Sequence, residues 1–189
     1  MLQEGYEAEY TKAMVSYLGI FVDELVRFTS VLNTWKVDAE AIVHVFGRQA
    51  LPMLWDYNEN NPLGDHGGTW KTRSKAVIGV VENIHNSPQG SVITQSSATS
   101  LPYSDDYFDA VFTDPPYYDN VPYSYLSDFF YVWLKRTVGH IYPDLFATPL
   151  TPKKNEIVAY TNFPGGFDEG KRFFEDMLKK SFQEIFRVS

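Results

Sequence analysis

The chain has 189 residues, 44% of them apolar, enough to bury one sizeable core, and ordinary domain sizes favour a single domain. Sixteen basic residues against 24 acidic ones give a net charge of −8, the wrong sign for a domain that grips nucleic acid through its phosphates. The absence of cysteine removes disulfides, thiolate metal sites and cysteine nucleophiles, and His44, His66, His85 and His140 show no metal-ligand spacing.

In chain order, Tyr10, Met14, Tyr17, Phe21, Leu25, Phe28 and Leu32 recur at steps of three and four, which predicts one long amphipathic helix over about residues 6–33. Asp38 is placed to cap a second helix carrying Val43, Phe46, Ala50 and Leu54, and the run "DYNENNPLGDHGG" then reads as a loop. Trp70 to Ile84 fits a third helix, although Val77, Ile78, Val80 and Val81 also suit a strand. The runs "SVITQSSA" and "FDAVFTD" are short, rich in β-branched and aromatic residues and bounded by turn formers, so both are expected as buried strands. Helical spacing returns from Tyr123 to Lys135 and again from about Asp168, where Phe174, Met177, Leu178, Phe182 and Ile185 should face inward. The Pro- and Gly-punctuated stretch between these two helices is long enough to suggest a task such as covering a site. The organisation is thus a mainly helical part over 1–88 and a strand-and-helix part over 89–189. No apolar run is long enough for a membrane span and no signal peptide is visible, so a cytoplasmic, non-membrane protein is expected.

The stretch "FDAVFTDPPYYDN", Phe108 to Asn120, carries the chemistry. A given four-residue string such as Asp-Pro-Pro-Tyr occurs in a chain of this length about once in a thousand. One reading is a strand-ending turn, with Asp114 accepting backbone N–H bonds and the prolines stopping the strand. The other starts from an amino group conjugated to an aromatic base, whose nitrogen lone pair is delocalised and poorly nucleophilic. A carboxylate and a carbonyl accepting its two N–H bonds draw the nitrogen toward a pyramidal shape and free the lone pair. Asp114 supplies one acceptor and the Pro116 carbonyl the other, and Pro115 and Pro116 stiffen the backbone that aims them. Tyr117 offers a ring face to the base, worth roughly 1–3 kcal/mol of stacking, and suits a nucleotide flipped out of its stack. Tyr118, Asp119, Asn120 and Tyr123 would shape the pocket beyond the base, and are equally ordinary turn and helix-start residues. Phe129, Phe130, Tyr131 and Trp133 read as core.

At these residues the chain resembles the S-adenosylmethionine-dependent amino-methyltransferases, which modify adenine N6 or cytosine N4 and carry Asp-Pro-Pro-Tyr at the end of their fourth strand. The longer stretch "TDPPYYDNVPYSYLSDFFYVWLKR" resembles a family of adenine-specific DNA methylases that begins with a domain of unknown function and often contains a zinc ribbon. The match spans roughly residues 40–189. It implies an α/β fold, a partial Rossmann-like methyltransferase domain, with S-adenosylmethionine as cofactor and direct methyl transfer. It maps Asp114, Pro115, Pro116 and Tyr117 onto the catalytic motif and sets Ser97 and Ala98, with Asp114, beside the cofactor. Tyr117, Tyr118 and Asn120 would contact the substrate. Many relatives carry an aspartate where this chain has Ser97. Their Gly-rich cofactor loop has no counterpart upstream of Asp114, where Gly64, Gly67 and Gly68 are the nearest candidates and lack the spacing. Relatives also continue beyond a sequence like "FRVS", so the chain reads as a fragment. Self-association, or the missing domain of a longer parent, is expected to complete its sheet. The expected activity is methylation of adenine N6 in DNA, ahead of adenine N6 or guanine N2 in RNA, with an inactive accessory module as the alternative from another class. Protein glutamine methylation is disfavoured, because such relatives carry Asn in place of the first Asp.

Overall fold

Apolar residues at helical spacing build α1 (Ala8–Thr29), and a short antiparallel hairpin follows it, β1 (Thr34–Lys36) with β2 (Ala41–Val43), joined through a 3-10 turn over Val37–Ala39. The remaining elements are helices α2 (Trp70–His85), α3 (Tyr123–Val138) and α4 (Phe167–Val188). The computed structural model describes residues 7–47, 49–51, 53–56, 58–85, 90–118, 121–160 and 163–189. The described residues therefore combine four α-helices with one two-stranded sheet. The chain divides into two units, one formed by residues 1–89 and 124–151, the other by 90–123 and 152–189.

In the first unit α1 packs on α2, with the Phe21 and Trp70 rings edge to face at 4.3 Å. Gly19 admits the end of α3, since a Cβ there would stand 2.8 Å from Val138 Cγ1. Phe46 packs against Phe129 and Phe130 of α3 at 5.4 and 5.3 Å, and Tyr131 is buried with its hydroxyl donating to the Thr148 carbonyl. Of the aromatics expected as core, Tyr131 is buried, whereas Phe129, Phe130 and Trp133 are half-buried.

The hairpin corrects the helix expected from Asp38. Val43 and Phe46 do stand at helical spacing, but Thr34, Ile42 and Val43 are β-branched and favour a ladder. Glu40 turns the chain at φ 44° and its N–H donates to the Val37 carbonyl. Buried Asn33 then fixes the arrangement, its amide donating to the carbonyls of Arg27 at the end of α1 and of Val43 in β2. Sequence periodicity overlooked this because one side-chain amide, rather than an apolar face, sets the local fold.

In the second unit α4 is the frame. Gly165 and Gly166, both at positive φ near 90°, turn the chain into it. Phe174 and Val188 are buried along it, whereas Phe182 is half exposed and Phe186 mostly exposed, so the expected inward face is only partly covered. Near its C-terminus Arg187 binds four groups: the Glu184 carboxylate at 2.6 Å, Asp105 at 2.7 Å and the carbonyls of Tyr103 and Leu101 at 2.9 and 3.2 Å. Leu101 N–H donates to Glu184, and the amides of Tyr107 and Phe108 both donate to the Val188 carbonyl. The segment 101–108 is thereby clamped to the helix end.

The two expected buried strands are corrected here. Residues 90–96 and 110–117 run without turn or bend but pair in no sheet, and Val92, Ile93 and Phe112 are 89%, 92% and 94% exposed. Their composition favours strands; burial would require neighbouring strands, and the described residues supply none.

Asp23 on α1 is 7% exposed, and its Oδ1 has no hydrogen-bond partner. Burial, reinforced by neighbouring Glu24, lifts its pKa from an ordinary 3.8 to about 7. The native state thus holds a proton that the unfolded chain has released, and stability should fall as pH rises from about 4 to about 7 and level off above. Asp23→Asn is expected to flatten that fall in urea titrations and to raise stability at pH 8 by roughly 1–3 kcal/mol. Glu184 behaves oppositely: hydrogen bonds from Arg187 and from Leu101 N–H hold its pKa down at about 2. The stability it confers is complete above about 4.5 and is lost as pH falls toward about 2. Glu184→Gln should therefore weaken that acid limb of the unfolding profile and lower the melting temperature at pH 7 by several degrees.

Candidate functional site

The clamp at Val188 releases the chain at Phe108, and the unbent run from Ala110 leads into Asp114, Pro115, Pro116 and Tyr117. The two prolines fix φ and remove donors at consecutive positions, so the backbone here forms no ladder of its own. The next residue is anchored again. The Tyr118 carbonyl accepts from the fully buried Ala159 N–H at 2.9 Å, and the Tyr118 ring packs edge to face on Phe174 of α4 at 4.9 Å. Asp114 to Tyr117 is therefore held at both ends, by the α4 terminus and by the 158–160 segment.

A cleft of about 420 Å³ opens at this span, lined by Asp114, Pro115, Pro116, Tyr117, Tyr123 and Glu156. Asp114 is exposed, and among the described residues its carboxylate takes part in no hydrogen bond or ion pair. Nor does any described backbone N–H donate to the Pro116 carbonyl. Tyr117 is 58% exposed, leaving its ring accessible beside the two acceptors. Across the lining, Glu156 presents a second carboxylate, which accepts a hydrogen bond from the Tyr160 hydroxyl.

Tyr123, expected to shape the pocket, lines the cleft together with the four motif residues. Tyr118 does not line the cleft, because its ring serves as an anchor. Asn120 and Asp119 lie outside the described residues. Ser97 and Ala98 are exposed and are not part of the cleft lining either; Ser97 Oγ is engaged locally, 2.9 Å from Thr99 Oγ1 and accepting from Thr99 N–H. Glu156 was missed in the sequence, where it is one glutamate in a long connection. The length of that connection, already suggestive of a cover for a site, was the only available signal.

The chemistry of the lining is that of a donor-seeking cleft. Among the described residues two carboxylates and the Pro116 carbonyl are acceptors, no Lys or Arg lines the cleft, and an aromatic ring offers a stacking face. A phosphate would be repelled here, whereas an amino group on a flat ring matches both features. Among the described residues no cluster of His, Asp or Glu is arranged to hold a metal ion, and no helix is long and apolar enough to cross a membrane. No protein-family profile, curated protein or solved structure matches the chain.

The adjacent tyrosines are expected to respond oppositely to truncation. Tyr118→Ala removes the packing on Phe174 and should cost roughly 1–3 kcal/mol in chemical denaturation. Tyr117→Ala, at an exposed ring, should change stability by less than about 0.5 kcal/mol.

Proposed function

We propose that this cleft binds an exocyclic amino group of a nucleic-acid base for S-adenosylmethionine-dependent methylation, with adenine N6 in DNA as the first candidate substrate. The observation that carries the reading is the pair of unengaged acceptors, Asp114 carboxylate and Pro116 carbonyl, beside the exposed Tyr117 ring. Each acceptor takes one N–H of the amino group, which draws the nitrogen lone pair out of conjugation. Tyr117 stacks on the base, and the rigid proline pair keeps the acceptors in place as the base enters. The net charge of −8 and the acidic lining mean that the base itself, rather than its phosphates, is what this cleft recognises.

The cofactor is a different matter. Ser97, expected beside the cofactor, is engaged with Thr99, and Gly68, at φ 79°, packs closely on Phe28, a Cβ there lying 2.8 Å from the ring. The sequence upstream of Asp114 carries no Gly-rich loop with the spacing that the resemblance calls for. We therefore assign Asp114, Pro116 and Tyr117 to the amino-acceptor side of the reaction, within the Rossmann-like framework the motif implies. The second reading, a non-catalytic accessory module, is favoured by that same missing loop.

The test is methyl transfer from S-adenosylmethionine to DNA and RNA oligonucleotides, with the methylated nucleosides resolved by mass spectrometry. N6-methyladenine from DNA is the expected product. N6-methyladenine or N2-methylguanine arising only from RNA would reassign the substrate, and no product from either would leave the accessory reading. Asp114→Ala should lower transfer by at least about 10²-fold while shifting stability by less than about 0.5 kcal/mol. Undiminished transfer in that variant would sink the assignment.

A further inference from the structure

The second unit leaves a strand-like segment unpaired directly before the cleft. Residues 109–114, "DAVFTD", leave the clamp at Phe108, whose own amide is the last to bond Val188, and run to the proline stop at Pro115. Among the described residues no backbone hydrogen bond reaches 109–117. The segment lacks turn or bend from Ala110 onward, carries a β-branched and aromatic centre in Val111 and Phe112, and exposes Phe112 at 94%. An unpaired row of N–H and C=O groups with an exposed aromatic is a template for strand addition.

The charges select the occupant. Pairing with a second copy over 109–114 sets aspartate beside aspartate, Asp109 opposite Asp114 when antiparallel and each opposite itself when parallel and in register. Like charges directly opposite destabilise a strand pair, and the net charge of −8 per chain adds to the repulsion. Asp106 extends the acidic flank upstream, while Asp105 is already paired with Arg187. A strand with apolar residues at its centre and Lys or Arg at its ends meets neither penalty and satisfies the backbone groups together with the Asp109 carboxylate.

We propose that residues 109–114 are the docking edge for a β-strand of a different polypeptide, apolar at its centre and basic at its ends. A strand of six residues covers about 20 Å, and its end would border Asp114, so the partner would also form one wall of the cleft. The proposal rests on the unpaired edge and the charge around it, and holds whether or not the cleft binds an amino group.

Amide hydrogen exchange on the full 189-residue chain tests it. The probe is an acetylated eight-residue peptide, alternating valine and threonine between terminal lysine pairs, at about 1 mM; its counterpart carries glutamate in place of lysine. The free chain should exchange the amides of 110–114 at close to the rate of unstructured peptide. The lysine peptide should slow them by about tenfold or more, with the effect reduced in about 0.5 M salt. The glutamate peptide should not slow them. Val111→Pro, which deletes one ladder donor at a position that bonds to nothing in the chain, should abolish the protection with the far-ultraviolet circular dichroism unchanged. The proposal is overturned by unaltered exchange with the lysine peptide, by protection that survives Val111→Pro, or by protection in the free chain that grows with its own concentration, which would make a second copy the occupant.

Discussion

The second unit depends on the grip of Arg187 on the loop before the motif. One guanidinium satisfies a carboxylate three residues back on its own helix, a second carboxylate at Asp105 and two backbone carbonyls, so it converts the end of α4 into a fixed dock for residues 101–108. The fork geometry of arginine makes this single-residue solution workable; lysine has the charge but not the spread of donors. Without the guanidinium the residues before Asp114 would keep only the backbone bonds of 106–108 to Arg187 and Val188 upstream and the Tyr118 anchor downstream. The functional span is a bridge between two fixed points, and the stiffness of its proline pair matters because the rest of the bridge has no ladder to hold it.

The cleft at the end of that bridge is acidic by construction. Its first carboxylate comes from the motif and its second from the long connection that returns toward α4, where buried Val158 and Ala159 fix the segment that carries Glu156 and Tyr160. Tyr160 donates to Glu156 and so orients that carboxylate at the lining. A site of this type discriminates by what the incoming group can donate, and an analogue without the amino hydrogens would leave acceptors unsatisfied.

The helices were legible because each rests on a property that the sequence repeats: apolar residues at three- and four-residue steps through Phe130 and Leu134 or Phe174 and Leu178, and glycines at the turn into α4. Trp70 opened α2 as a helix in spite of its valines, because Trp70 docks on Phe21 and tertiary packing overrides a mild β preference. The hairpin was illegible because its determinant, the amide of Asn33 reaching Val43, is a single polar contact ten residues apart. The burial of "SVITQSSA" and "FDAVFTD" could not be read either, since composition reports what a segment would do in a sheet and not whether neighbours exist. Within the site, the contiguous motif could be read and Glu156 could not, because its proximity arises only when a loop of many residues folds back.

The unpaired run through Phe112 also sets how the chain meets proteolysis. Proteases bind their substrates as extended strands, and they favour exposed segments that need no local unfolding to enter the active site. Phe112, its ring almost entirely in solvent, offers an aromatic residue of the type that chymotrypsin-like enzymes accept, while the following prolines shield the bonds after Asp114. A nick after Phe112 would sever the bridge between its two anchors, leaving Asp114 tethered only through Tyr118. A strand seated on that edge would keep the bridge out of a protease's reach, so the surface adjoining the acceptor cleft also bears on how long the bridge stays whole.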